Sequence, residues 1–402
     1  MKREHAVMGA LLVAVAAGAY ALGRRAGEAE PGGEVVDLSP RRRPAPEAGR
    51  DEASEDEGPE APVLVRSARP IMSTTYQISV ETDRREEAEE AIEAALDEVE
   101  RLGVVLSEWR PDSEVSAINR AAGREAVRVG EDTMANVTSA LDVARWTDGA
   151  FDVTWAAIRE FYLFQEGAEA PDLDAVRARL PLVNWRDVIV DEEASTIRLA
   201  REGMSLGLGG IAKGYAVDRA AALLEARGFS NFMIFGGGQV LVRGLREGRR
   251  WRVGIQHPRA ADRYIGFLEV TDCSVATSGD YEHSWEHEGR RYHHILDPRT
   301  GFPSERSASV TVISPTALWA DAVDTAVFIL GPRRGIAALR DAPGGPHEAI
   351  VVDPSLRLSA TPGTERRLVM RATLDAAHRL GDWTEGDVTI AVPPLPPPAD
   401  GP

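Results

Sequence analysis

Apolar and polar positions change rhythm several times along the 402-residue chain, and each rhythm predicts a different element. Ala6 to Gly23 runs without a charge between a basic start, MKREH, and Arg24-Arg25. From residue 24 to about 62 there is no apolar rhythm. In TYQISVE, Tyr76, Ile78 and Val80 alternate with period two, which predicts a strand. In RREEAEEAIEAALDEVERLG, Ala88, Ile92, Leu96, Val99 and Leu102 recur every three or four residues, which predicts an amphipathic helix ended by Gly103. A second helix is expected over Asp132 to Trp146 and a third from about Ile211 to Ala226. Short strands are expected around Val188, Ile197, Met233, Leu241, Val253 and Leu268, and Tyr292 to Ile295 reads as another, followed by a turn from Asp297 to Gly301. SASVTVIS reads as a strand, and PTALWADAVDTAVFILGP as a helix with Pro315 near its start and Gly331-Pro332 at its stop. Strands and helices mix without a regular βα alternation, so the expected class is α+β, one large mixed domain rather than a doubly wound sheet.

The ends change the picture. A basic start followed by an apolar run is the pattern of an export signal, with Ala19-Tyr20-Ala21 as a cleavage site. The run is also near the minimum length for a membrane span, so cleaved signal and retained anchor both stay open. Residues 24 to about 62 hold six prolines, eleven acidic residues and no aromatic, the composition of a disordered linker. The organisation expected is therefore 1–23 signal or anchor, 24–62 linker, 63–365 folded domain and 366–402 an extension with a proline-rich tail, PPLPPPADGP. The domain would work at the extracytoplasmic face of a membrane. A net charge of −18 argues against nucleic-acid binding, which needs clustered Lys and Arg. The single cysteine, Cys273, rules out an internal disulfide.

Four stretches carry candidate chemistry. In LGLGGIAKGYAVDRAAALLEARG, Gly207, Gly209 and Gly210 let backbone amides approach a ligand, the following helix points its positive end there, and Lys213 adds a charge. The pattern is neither a P-loop nor a dinucleotide fingerprint. By itself it equally fits a glycine-rich helix entry with a solvated lysine. In ADAVDTA, Asp321, Asp324 and Thr325 stand at i, i+3 and i+4 and share one helical face. An all-oxygen set of this kind suits Mg²⁺ or Ca²⁺. The alternative is a polar stripe facing solvent. In TSGDYEHSWEHEGRRYHHILDPRTGFP, strand geometry lets only one of His293 and His294 face a given site. Zinc is excluded there by spacing and by the lack of thiolates. In DGAFDVTW, Ala150, Phe151 and Asp152 either line a ring pocket or pack the core.

Taken together, LGGIAKGYAVDR, DGAFDVT, ATSGDYE, HHILDPRTG.P and ADAVDTA.FILG resemble the ApbE-type FAD:protein FMN transferases, over roughly Val63 to Val352. The resemblance implies that FAD is bound with Mg²⁺ and its pyrophosphate cut. FMN would pass to a Thr or Ser hydroxyl of an acceptor protein, a membrane redox subunit, and AMP would leave. Two relatives of this reading are an FAD pyrophosphatase giving FMN and AMP, and a non-catalytic extracytoplasmic flavin-binding protein. The resemblance places metal ligands on Asp321, Asp324, Thr325 and the Gly210 carbonyl, and flavin contacts on Met72, Trp109, Ala150, Phe151, Asp152, Lys213 and Ile295. His294 is the candidate base, with Asp321 beside it as a catalytic group. Two departures stand out: Gly207 replaces the acid that usually opens the loop, as in DLGG, and Trp109 replaces the usual Tyr of the SxY stretch.

Overall fold

An eight-stranded sheet with every neighbouring pair antiparallel organises the fold of this computed structural model, which describes residues 62–163, 167–375 and 377–388. The expected signal or anchor, nearly all of the acidic linker and the proline-rich tail lie outside the described residues. Among the described residues no helix is long and apolar enough to cross a membrane. From one edge the strands run Val63–Ile71, Thr74–Thr82, Phe232–Gly236, Gln239–Arg243, Cys273–Gly279, Ser309–Ser314, Glu348–Val352 and Leu358–Ala360.

Both faces of the sheet are covered at strands such as Phe232–Gly236, Gln239–Arg243, Ser309–Ser314 and Glu348–Val352, which are buried along nearly their whole length. The pleat then divides the side chains. Ile78, Ile234 and Leu241 point to the helices Arg85–Val105 and Ala212–Ala226. Val310, Val312 and Val351 meet Val323, Val327 and Phe328 of the helix Ala317–Ala338. Met233, Val240, Val242 and Ile350 face the other way, onto a four-stranded sheet ordered Leu380–Val388, Leu368–Leu374, Ala260–Val270 and Trp251–His257. Residues beyond 366, which carry no assignment in the sequence, supply two of those four strands, and Leu368, Met370 and Ala372 are buried in that core. Mixed helices and antiparallel sheets make this an α+β fold, as the pattern predicts.

Two element boundaries differ from expectation. The first helix continues through Gly103 to Val105. Gly103 seats the Met72 side chain, since a Cβ there would lie 3.2 Å from Met72 Cγ. The strand Arg290–His293 stops two residues early, leaving His294 and Ile295 in the connection to Leu296–Asp297. The His293 ring causes the turn: Nδ1 accepts from the Ile295 amide at 3.3 Å and Nε2 donates to the Ser304 carbonyl at 3.1 Å. The last expected stop is seen as such, because the backbone leaves helical geometry at Gly331 (φ 79°, ψ 174°) and Pro332 starts a further helical stretch.

Register gathers several turns at one end of the large sheet. The hairpin at Met72-Ser73, the Gly237-Gly238 turn after Gly236, and the Gly279 end of Cys273–Gly279 all fall there, because Ile71 faces Thr74, Tyr76 faces Gly236, Gln239 faces Ala276 and Gly279 faces Ser309. Met72 (φ 51°) and Ser73 (φ 60°) both take left-handed backbone in a two-residue turn that usually uses Asn or Gly. Each non-glycine residue held so costs on the order of 1 kcal/mol, and such cost is typically kept at working sites.

Candidate active site

The Asp321 helix and the Lys213 helix meet at this end, and glycine makes the approach close. A Cβ on Gly214 would lie 2.2 Å from the Ala317 carbonyl oxygen. Asp218, one turn further along the same helix, lends its carboxylate to the partner helix: it accepts from the Ala317 and Leu318 amides at 2.8 Å each. Those are two of the unsatisfied donors of the helix start, where Thr316 provides no side-chain cap. Burial pushes the Asp218 carboxyl up to about 6. The GYAVD part of the motif is thus a helix-joining device.

Asp321 and Asp324 are both buried, which excludes a solvent-facing stripe. Asp321 Oδ2 accepts from the Gly214 amide at 2.9 Å, and Oδ1 lies 3.3 Å from Lys213 Nζ. Lys213 also donates to the Gly209 carbonyl at 2.6 Å. It is a half-buried bridge from loop to acid, not a solvated side chain. Asp324 Oδ1 accepts from the hydroxyls of Ser278 at 3.0 Å and Thr325 at 3.2 Å. Burial and the charge of Asp321 hold the Asp324 carboxyl well above its ordinary value. Gly210 borders the same space: a Cβ there would lie 3.6 Å from Thr325 Oγ1 and 3.2 Å from Phe151 Cε2. Two buried carboxylates, two hydroxyls and a loop backbone share one nearby ammonium, so the donor set fits a hard divalent cation. Among the described residues no group of three or more His, Cys, Asp or Glu side chains is placed to hold a metal ion, so any cation here would rest on hydroxyl and carbonyl oxygens as well.

The remaining candidates divide by what their side chains have free. Tyr76, buried under Gly236, donates to Met72 Sδ at 3.3 Å and is pushed up by burial and by Asp321, which ties Met72 to the acidic wall. Phe151 reaches the loop at Gly210, while Ala150 and Ile295 are buried together in the core beneath the Asp321 helix. Asp152 has no free oxygen: Oδ1 accepts from the Thr154 amide and hydroxyl at 2.8 and 2.6 Å, and Oδ2 from the Trp185 amide at 2.8 Å. Its side chain caps the Val153–Phe161 turn. Trp109 is 71% exposed, and Arg159 stacks on it with the guanidinium 4.0 Å from the ring centre.

His294 and His293 have different tasks. His293 is buried edge-on against Phe328 with both nitrogens engaged, and burial lowers it to about 4. His294 Nδ1 donates to the Glu282 carbonyl at 3.0 Å, which makes Nε2 the free acceptor. Burial, with His283, His293 and Lys213 near, lowers it to about 3, so it is neutral at pH 7.

Sequence reading missed Ser278 and Glu108. Ser278 stands in the quoted ATSGDYE stretch, but nothing in one sequence says that this strand end faces Asp324. Glu108 Oε2 accepts from the Leu208 amide at 3.0 Å, and Oε1 lies 3.4 Å from Arg159 Nη1. No local spacing links residue 108 to residue 208.

Comparison with known proteins gives the family and the fold. The ApbE family model matches residues 72–350. An FAD:protein FMN transferase of Treponema pallidum is 35% identical over 298 residues, 69% of this chain and 82% of the relative. One from Klebsiella pneumoniae is 38% identical over 245 residues, 60% of this chain and 76% of the relative. Among solved structures, the ApbE protein of Thermotoga maritima superposes with a TM-score of 0.70 at 29% identity, covering 76% of this chain and 99% of that one. The flavin transferase ApbE of Vibrio cholerae gives 0.66 at 29% identity, covering 76% and 100%.

Proposed function

The chain belongs to the ApbE family, and on that premise we propose that it is an FAD:protein FMN transferase, moving FMN from FAD to a Thr or Ser hydroxyl of an acceptor protein. The observation that carries the reading is the buried pair Asp321 and Asp324 facing Lys213 at the mouth of the glycine loop. In the reaction the acceptor oxygen bonds to the FMN phosphorus, the pyrophosphate P–O bond breaks, and AMP leaves with the bridging oxygen and its electron pair. Phosphoryl transfer of this kind depends on positioning and charge neutralisation more than on a protein nucleophile.

The residues divide these tasks. Asp321, Asp324, Thr325 and the Gly210 carbonyl would hold a Mg²⁺ ion. When bound, it would neutralise phosphate charge, worth several kcal/mol as an order of magnitude. Lys213 and the free loop amides bind the non-transferred phosphate oxygens. Trp109, pinned by Arg159, offers a face for stacking, and Phe151 borders the loop. His294 Nε2 would take the acceptor proton; an imidazole so depressed is a weak base, and a metal-bound carboxylate can share that task.

The decisive experiment incubates the protein with FAD, Mg²⁺ and a candidate acceptor and follows AMP and acceptor mass. A gain of one FMN on the acceptor supports transfer. AMP with no acceptor gain makes the chain a pyrophosphatase, and FAD binding with no AMP makes it a flavin-binding protein.

The basic start, apolar run and linker support work at the extracytoplasmic face of a membrane. A reporter fused after Pro62 should be active only outside the cytoplasm, and cytoplasmic activity would refute the placement.

A further inference from the structure

Gly207 departs from the resembled motif, which opens this loop with an acid. Its φ is not left-handed, so backbone geometry does not require glycine there. Space does. A Cβ on Gly207 would lie 3.0 Å from Glu108 Oε1, 3.0 Å from Trp155 Nε1 and 3.1 Å from Ala156 Cβ. The position beside the loop that a residue-207 side chain would enter is filled by a carboxylate from a segment about a hundred residues earlier in the chain.

That carboxylate is enclosed, with 7% of its side chain exposed. Leu208, the residue after Gly207, gives it its amide. The Arg159 guanidinium lies between it and Trp109, beside the one carboxylate and over the ring of the other residue. Glu108 and Trp109 are consecutive, on a turn where the Ser107 hydroxyl accepts from the Trp109 and Arg110 amides at 3.2 and 3.3 Å. One side chain therefore fixes three things: the entry of the glycine loop, the guanidinium, and through it the most exposed aromatic ring of the site. Burial raises the Glu108 carboxyl, while Arg159, the Leu208 amide and Lys213 oppose that shift. A carboxylate is seldom enclosed this far without a task.

We propose that Glu108 supplies through space the acid missing at position 207, and acts as a positioning residue that holds the glycine loop and Trp109 in the arrangement that binds the flavin nucleotide. The inference rests on FAD being the ligand, as proposed above. It also predicts that an acid added at 207 alone is harmful, since two carboxylates would crowd one space.

The test compares wild type, Glu108→Ala, Gly207→Asp, the double variant and Glu108→Gln in the full chain. The readouts are the FAD dissociation constant, KM and kcat for AMP release, and the melting temperature. Glu108→Ala should weaken FAD binding about tenfold or more, with the loss in KM rather than kcat because the Asp321 wall is untouched. Gly207→Asp alone should also weaken binding. The double variant, with its carboxylate returned from the other side, should bind FAD more tightly than either single variant. Glu108→Gln keeps an acceptor for the Leu208 amide and nearly the same shape, so it should fold and still bind a few-fold more weakly. A double variant no better than the poorer single one, or Glu108→Gln and Glu108→Ala both binding like wild type, would overturn the inference. Equal falls in melting temperature with unchanged FAD affinity would reduce Glu108 to a structural clamp and overturn it too. Wild type that binds FAD beside unaffected variants refutes this inference alone. Wild type that neither binds FAD nor releases AMP refutes the proposed function and this inference with it.

Discussion

The two walls of the site use buried carboxylates in opposite ways. On the acidic wall, Asp321 and Asp324 stand on one helix with one ammonium beside Asp321, and burial and the neighbouring acid hold the Asp324 carboxyl well above its ordinary value. On the loop wall, Glu108 has a guanidinium and a backbone amide of its own. The first arrangement invites a cation, because an uncompensated buried charge is costly. The second is closed on itself and suits positioning. A buried acid thus signals chemistry or scaffolding according to how completely its surroundings balance it, and the partner list decides which.

The largest effect that separates the walls is expected at Asp321. Asp321→Asn keeps an acceptor for the Gly214 amide, which Asp321→Ala would leave buried and unpaired at a cost of about 1–3 kcal/mol. AMP release from FAD should fall by at least about 10³-fold, as the loss of several kcal/mol implies. The melting temperature should hold or rise, since a buried repulsion is relieved. EDTA should mimic the variant, and Mg²⁺ should restore EDTA-treated wild type only. Full activity in Asp321→Asn or in EDTA would remove the distinction between the walls.

Next comes the joint that holds the walls together. Gly214→Ala would push a methyl into the Ala317 carbonyl, so the two helices must separate. Overpacking of this kind costs about 1–3 kcal/mol, and a shift near 1 Å between Lys213 and Asp321 can cost about 10²-fold in rate. Denaturant melts and AMP assays should show both losses. A variant with wild-type stability would mean that the close approach is relieved elsewhere.

A smaller effect belongs to the loop wall. Trp109→Ala should raise the FAD dissociation constant by about one to two orders of magnitude, as the loss of roughly 1–3 kcal/mol of base-type stacking predicts, and Trp109→Tyr should recover most of it. Flavin fluorescence titration measures both. Unchanged affinity in Trp109→Ala would take the exposed ring out of the binding surface.

The smallest effect sets the histidine pair apart from both walls. His293 titrates near 4 when folded against about 6.5 when unfolded, so its folded pKa is depressed. The stability tied to its neutral ring is full above about 6.5 and is lost as pH falls from there through about 4. Wild-type melting temperature should drop across that window, and His293→Gln should flatten the drop while being less stable at pH 7. His294→Ala should reduce AMP release with little effect on FAD affinity. If His293→Gln harmed activity more, the roles of the pair would be exchanged.

Sequence alone determined what local periodicity can carry. Asp321, Asp324 and Thr325 are on one face because a helix repeats every 3.6 residues, and that repeat is written in the apolar residues around them. The Lys213 helix, the Tyr76 strand and the Gly331 stop are legible for the same reason. Tertiary structure decided what no window contains. Whether the acids face solvent or the interior depended on a second helix arriving close enough for Gly214 to touch Ala317. Whether Asp152 serves a ligand or a turn depended on the amides of Thr154 and Trp185. The strand Leu368–Leu374 needed Ala260–Val270 on one side and Leu380–Val388 on the other, since a strand's hydrogen bonds lie outside itself while a helix closes its own. Gly207 reads in the chain as a missing acid, and only folding reveals Glu108 in its space, because a side chain's volume can be supplied from any point in the sequence that the fold brings near.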